Sequence, residues 1–246
     1  MLSLLVALSL AAEGPAPAEA TSLEARVAAL EAKVVELEAA LKAQAEAPDT
    51  PSVDDESAAS SLVMMVREQL QEGKTEDARI LLKRLYTDYP DTKATKSAER
   101  LRQELDTIGT PLPTDWDTHV LDWLVKSRRF NPSRGVTIAV FWETWCPHCR
   151  REMPSMNALY AKHKADGLKV IGFTKQSRGT TREQVMDFIE EHQLAFPIAQ
   201  EDGEISKSVS VKGIPAAAIY KDGVVVWRGH PARIDDTVLS WVIEAE

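Results

Sequence analysis

Cysteine is scarce. Cys146 and Cys149 are the whole supply in 246 residues. Two thiols cannot complete a four-ligand zinc site, and neither His163 nor His192 stands in a recognisable ligand pair, so no metal centre is expected. With no cysteine near the N-terminus, a lipid-modified cysteine anchor is excluded. Excess positive charge is also missing. The net charge is −9, residues 21–60 hold nine acids and three bases, and residues 109–246 hold eighteen acids and seventeen bases. Nothing here suggests a nucleic-acid surface. A long apolar run is absent too. Leu2 to Ala12 is too short to span a bilayer once it meets Glu13. It reads as the apolar core of a signal peptide over residues 1–20, with Ala18-Glu19-Ala20 as the small-residue cleavage site, although no Lys or Arg precedes Leu2. Kept uncleaved, the same stretch would tether the chain to a membrane. Either outcome implies export and an oxidising compartment for the two cysteines.

What is present centres on Trp142-Glu143-Thr144-Trp145-Cys146-Pro147-His148-Cys149. Val136 to Phe141 is a β-branched, apolar run that reads as a buried strand. Beyond the cysteines, Met153, Met156, Leu159 and Tyr160 recur at helical spacing. Cys-x-x-Cys therefore sits where a strand passes into a helix, and unpaired N–H groups there favour a thiolate at Cys146. Cys149 lies one turn further on, within bonding range. Disulfide exchange follows as the expected chemistry, ahead of a purely structural disulfide.

Upstream, Leu23, Val27, Leu30, Val34, Leu37 and Leu41 alternate in steps of four and three. This heptad pattern over residues 21–47 predicts a parallel coiled coil and a homodimer, with Arg26 and Lys33 facing Glu31 and Glu38 of a second chain. Residues 48–60 contain Pro51 and four acids and read as a flexible acidic linker. Residues 61–108 predict three helices, from Ser61 to Glu72, Thr75 to Tyr89, and onward from Asp91. Their Gly73, Ala78, Leu82, Tyr86, Pro90 and Ala98 pattern resembles a tetratricopeptide-type hairpin, with too few repeats for an array. Gly109 to Pro113 marks a boundary, and 109–246 alternates strands and helices as an α/β domain with a mixed central sheet. Within it, Trp116 to Arg129 is amphipathic, Leu168 to Thr174 is a strand, Thr181 to His192 a helix, Ala216 to Arg228 a hairpin, and Ile234 to Ile243 a closing helix.

Residues 113–246 resemble the thioredoxin-fold, TlpA/ResA-like thiol–disulfide oxidoreductases of the bacterial periplasm. The resemblance is carried by Phe141-Trp142-x-Thr144-Trp145-Cys146-x-x-Cys149-x-x-Glu152-x-Pro154, with Phe196-Pro197, Gly213-Ile214-Pro215 and Asp222-Gly223. It implies Cys146 as attacking cysteine, Cys149 as resolving cysteine and Glu152 as a proton-transfer carboxylate. Val140 stands where thioredoxin has its buried aspartate. The resemblance also implies Pro215 as a cis proline, with Ile214 and Trp145 at the substrate strand. No cofactor beyond a Cys146–Cys149 disulfide is implied. The partners implied are protein thiols and disulfides and a redox partner protein. Pro147-His148 resembles the dipeptide of DsbA, so His148 is expected to stabilise the Cys146 thiolate and raise the oxidising poise. Reductase, oxidase and isomerase directions all stay open. A reading of another class is an envelope scaffold, whose coil and helices bind partners and whose last domain is a redox-sensitive dock.

Overall fold

The computed structural model describes residues 51–125 and 130–244, and upstream of these residues 25, 28, 30–36 and 38. The chain divides into two compact units, Met1–Thr50 and Pro51–Glu246. In the first, residues 30–36 are helical, and Leu30 and Val34, two of the six heptad positions, are exposed. The leader-like stretch and the other heptad positions lie outside the described residues.

The second unit opens with a helix, not a linker. Ser52 accepts a hydrogen bond from Asp55 N, and the Asp55 carboxylate accepts one from Ser52 N, forming a capping box that starts α1 (Val53–Gln71). The acids Asp54, Asp55 and Glu56, read from sequence as solvated linker, lie in its first turn, where negative charge complements the helix dipole. The expected linker over 48–60 is thus corrected from residue 53 onward. Helix α2 (Thr75–Asp88) folds back on α1 after Gly73. The expected third helix is broken at Ala98 into α3 (Lys93–Ser97) and α4 (Glu99–Thr107). Their shared core includes Val66, Leu70, Ala78, Leu85 and Leu105.

Six strands follow: β1 (Val120–Val125), β2 (Val136–Phe141), β3 (Lys169–Thr174), β4 (Ile198–Glu201), β5 (Ala216–Lys221) and β6 (Val224–Gly229), in the spatial order β1-β4-β3-β2-β5-β6. The pairs β2–β3 and β3–β4 are parallel, whereas β1–β4, β2–β5 and β5–β6 are antiparallel. The amphipathic stretch from Trp116 becomes a 3-10 turn followed by edge strand β1, and four residues after Pro197, not singled out as a strand above, form β4. Central strand β2 is buried on both faces. Ile138 and Val140 pack with α5 (Pro147–His163), α6 (Arg182–Glu191) and α8 (Asp236–Glu244). Ala139 and Phe141 pack on the opposite face with Ile205 of α7 (Glu204–Ser208). This is a thioredoxin-like fold, a mixed sheet between helices.

The helical segment and the sheet form one unit with three ties. Residues 109–112 run along the edge of β6: Gly109 N donates to Val225 O (2.8 Å), Val225 N to Thr110 O (2.9 Å) and Leu112 N to Gly223 O (2.7 Å). Gln71 Nε2 donates to Arg233 O (2.7 Å), and Trp241 Nε1 donates to Gln71 O (2.9 Å). Arg233 Nη2 meets Glu104 Oε2 at 2.6 Å. Gly73 makes the docking possible. Its φ is +75°, and a Cβ there would lie 2.6 Å from the Trp241 ring. Gly109, at φ +95°, has no atom within 4 Å of such a Cβ. Gly73→Ala should therefore destabilise the fold by about 2 kcal/mol, and by more than Gly109→Ala, in denaturant unfolding. Equal losses would show that the Trp241 contact contributes nothing.

Candidate functional site

The register of β2 against β5 builds the site. Phe141, the last residue of β2, pairs with Ala216, the first of β5. The chain leaving β2 through Trp142 to Trp145 therefore comes to lie beside the chain entering β5 through Ile214 and Pro215. Cys146 is the extended N-cap of α5 (φ −87°, ψ 112°), and its Sγ accepts from Cys149 N at 3.5 Å. The Cys146 thiol points at Ile214 O, 3.7 Å away. Pro147 occupies the first helical turn, where its missing N–H costs no intrahelical bond. The Ile214–Pro215 peptide is cis and Pro215 is buried. Cys146 is 5% exposed and Cys149 fully buried, and both are free thiols.

Cys146 forms part of the floor of a 400 Å³ groove whose rim carries Trp145, Lys175, Arg178, Lys212 and Ile214. Trp145 is fixed from two sides. Its Nε1 donates to Ser177 Oγ (3.1 Å), and the Arg178 guanidinium lies 3.8 Å over its ring. Ser177 in turn is held by Glu143, a carboxylate that the motif carries and the sequence reading left without a role. Glu143 is 4% exposed and accepts from Thr174 Oγ1, Lys175 N, Ser177 N and Ser177 Oγ. Its main-chain oxygen also accepts from Cys146 N (3.2 Å). The acid therefore joins the end of β2 to the loop after β3, as a buried charge must be joined to donors to be tolerated. Its position before a Trp-Cys pair was legible, but the donors it meets come from residues more than thirty positions away.

The electrostatics set the two thiols apart. Burial pushes the Cys149 thiol far above its ordinary value, with the hydrogen bond to Cys146 acting in the same direction. Val140, at the position of thioredoxin's strand aspartate, is fully buried. Glu152 is half-buried one turn beyond Cys149 and has no hydrogen bond or ion pair among the described residues. It bears on His230, which burial holds below its ordinary value while the Glu152 charge acts the other way. His148 is exposed, and its Nδ1 accepts from Arg151 Nη2. No described contact joins its ring to Cys146, so the expected tuning of the thiolate by His148 finds no hydrogen bond here. Glu201, on the groove wall and 2% exposed, accepts from Ser206 N (2.9 Å), and burial raises its carboxyl above the usual range. Among the described residues no group of three or more His, Cys, Asp or Glu could hold a metal ion, and no helix is long and apolar enough to cross a membrane.

A thiol pair at the start of a helix in a thioredoxin-like sheet defines the class of thiol-exchange proteins. The family described as AhpC/TSA matches residues 108–228. The thiol–disulfide oxidoreductase ResA of Bacillus thuringiensis subsp. konkukian is 40% identical over 127 residues, covering 51% of this chain and 70% of that protein. The sporulation thiol–disulfide oxidoreductase A of Bacillus subtilis is 31% identical over 93 residues, 37% of this chain and 56% of that one. Among solved structures, a thiol–disulfide isomerase from Corynebacterium glutamicum aligns with a TM-score of 0.43 at 22% identity, over 51% of this chain and 90% of that one. The chain belongs to the ResA-type thiol–disulfide oxidoreductases and is an enzyme.

The buried Cys149 thiol generates a pH prediction. Its folded value lies above its unfolded one, so its contribution to stability is complete below the ordinary thiol value of about 8.5 and is lost as the pH rises beyond it. The reduced protein should lose about 1 kcal/mol per pH unit from this group above that point. Denaturant unfolding at pH 7 and pH 10 checks it: Cys149→Ala should flatten the dependence, and an unchanged slope would contradict the burial argument.

Proposed function

We propose that Cys146 and Cys149 are the redox pair of an exported enzyme that exchanges disulfides with cysteine-containing proteins. The observation that carries this is the position of Cys146: N-cap of α5, on the floor of an open groove, with Ile214 O beside its sulfur and Cys149 buried behind it.

The chemistry balances through sulfur alone. In the reducing direction the Cys146 thiolate attacks one sulfur of a substrate disulfide. The Cys146–substrate bond forms as the substrate disulfide breaks, and the second substrate sulfur leaves as a thiolate that takes up a proton. Cys149 then gives up its proton and attacks Cys146 Sγ. The bound substrate sulfur departs, the Cys146–Cys149 disulfide forms, and two electrons have passed to the substrate. A redox partner protein resets the pair, and the same steps in reverse oxidise a dithiol. The first attack is aided by N–H groups at the start of α5, including Cys149 N at 3.5 Å from the sulfur.

The second attack needs an acceptor for the Cys149 proton. Glu143 is engaged by four donors, whereas Glu152 has none among the described residues and lies one turn along the same helix. Glu152 takes that role in this reading. Ile214 and Trp145 flank the bound polypeptide, one through its main chain and the other through its ring. Export is supported by the leader-like Leu2 to Ala12, and pairing of two chains through 21–47 by the exposed helical Leu30 and Val34.

Reaction with a cysteine-containing protein disulfide tests the assignment. Cys149→Ala should accumulate covalent adducts that dithiothreitol releases, wild type should turn over without them, and Cys146→Ser should form none. Adducts forming on Cys146→Ser, or turnover persisting in it, would assign the nucleophile elsewhere.

A further inference from the structure

Two grooves meet at the loop preceding Pro215. The first holds Cys146. The second, of 260 Å³, runs between that loop and α4 of the helical segment, and Glu99, Arg100, Gln103 and Arg228 line it. Lys212 and Gly213 line both grooves. A polypeptide with its sulfur at Cys146 that continues past Gly213 therefore meets α4 within a few residues.

The acids along this path are buried or already bound, although the chain as a whole carries −9: on the first groove Glu143 and Glu201 are 4% and 2% exposed. Glu99 faces Lys212, but its carboxylate is bound by Arg102 (2.7 Å) and by Gln103 Nε2 (2.7 Å). Glu104 lies between Arg100 (3.2 Å) and Arg233 (2.6 Å). Both acids on the second groove are thus neutralised locally. Buried Arg228 spends its donors on three main-chain oxygens, of Val209, Ala217 and Gly229, so no carboxylate answers its charge directly. Lys175, Arg178 and Lys212 form no ion pair among the described residues. Cations thus line the route from the thiol to α4.

We propose that the loop at Lys212–Gly213 and helix α4 form a second binding site for the substrate polypeptide, one that takes acidic residues flanking its reactive cysteine. The helical segment, which the sequence left without a task, then acts as a specificity wall for the thiol pair. This rests on the oxidoreductase reading above.

Two peptides test it, identical except for Asp or Lys within three residues of a single cysteine carried as a mixed disulfide with thionitrobenzoate. The full-length reduced protein is mixed with each, thionitrobenzoate release is followed in a single turnover, and each rate is divided by the rate with dithiothreitol. The acidic peptide should react about fivefold faster at low salt, and the ratio should shrink at high salt. Lys212→Glu combined with Gln103→Glu should abolish or invert the preference. Lys83→Glu, the same type of charge change on the exposed face of α2, should leave it intact. Equal rates for the two peptides, survival of the preference in the double variant, or an equal shift from Lys83→Glu would overturn the proposal. If neither peptide releases thionitrobenzoate, the oxidoreductase reading falls, and this one with it.

Discussion

One sulfur stands at the mouth of a helix and the other is shut in behind it, and this asymmetry depends on a sheet register. Phe141 opposite Ala216 brings the strand that delivers Cys146 against the strand that delivers Ile214. A slip of one residue would turn Trp142 and Cys149 out of the core and move the Ile214 carbonyl away from the thiol. The register is held by β2 being covered on both faces, with Ile138 and Val140 on one and Ala139 and Phe141 on the other. A central strand buried on both sides has no solvent face onto which to slip. Thiol geometry is in this sense a consequence of core packing, and the first turn of α5 only completes it.

The helical segment extends the same logic. It could have been a separate body on a linker, but its last turn feeds residues 109–112 into the edge of β6, and Gln71, Arg233 and Trp241 close the other side. Covering β6 removes an unpaired sheet edge. It also sets α4 beside the loop at 209–215. Arg228 reinforces that placement, because its guanidinium binds the main chain on both sides of the loop, at Val209 and at Ala217. A loop pinned at both ends holds Ile214 O beside the Cys146 thiol.

Much of this was legible in the residues. The apolar run of β2, the Cys-Pro-His-Cys helix start and the hairpin through Asp222-Gly223 carry strong local patterns, and each formed within a residue or two of its expected bounds. The failures share a cause. The acids from Asp54 to Glu56 look like a solvated run until Ser52 and Asp55 are read together as a cap. β4 is four residues long and begins after a proline, too short for periodicity to declare itself. Glu143 sat inside the recognised motif, yet its partners Thr174, Lys175 and Ser177 come from the next βα connection, and no local pattern reports a contact of that kind. For His148, adjacency in sequence to the sulfurs did not report the ring's hydrogen-bond partner, which is Arg151.

No acid stands on the central strand at Val140; the acids near the thiols lie beyond its end. An ionised aspartate in place of Val140 would lie fully buried between sheet and helix, with β2's own hydrogen bonds already taken by β3 and β5. At the strand end, by contrast, Glu143 meets four donors. Glu143 fixes the loop that carries Ser177 and, through it, the Trp145 ring, while Glu152 lies half-buried on the helix that carries Cys149. The acid at the strand end thus shapes the groove wall, through Ser177 to the Trp145 ring.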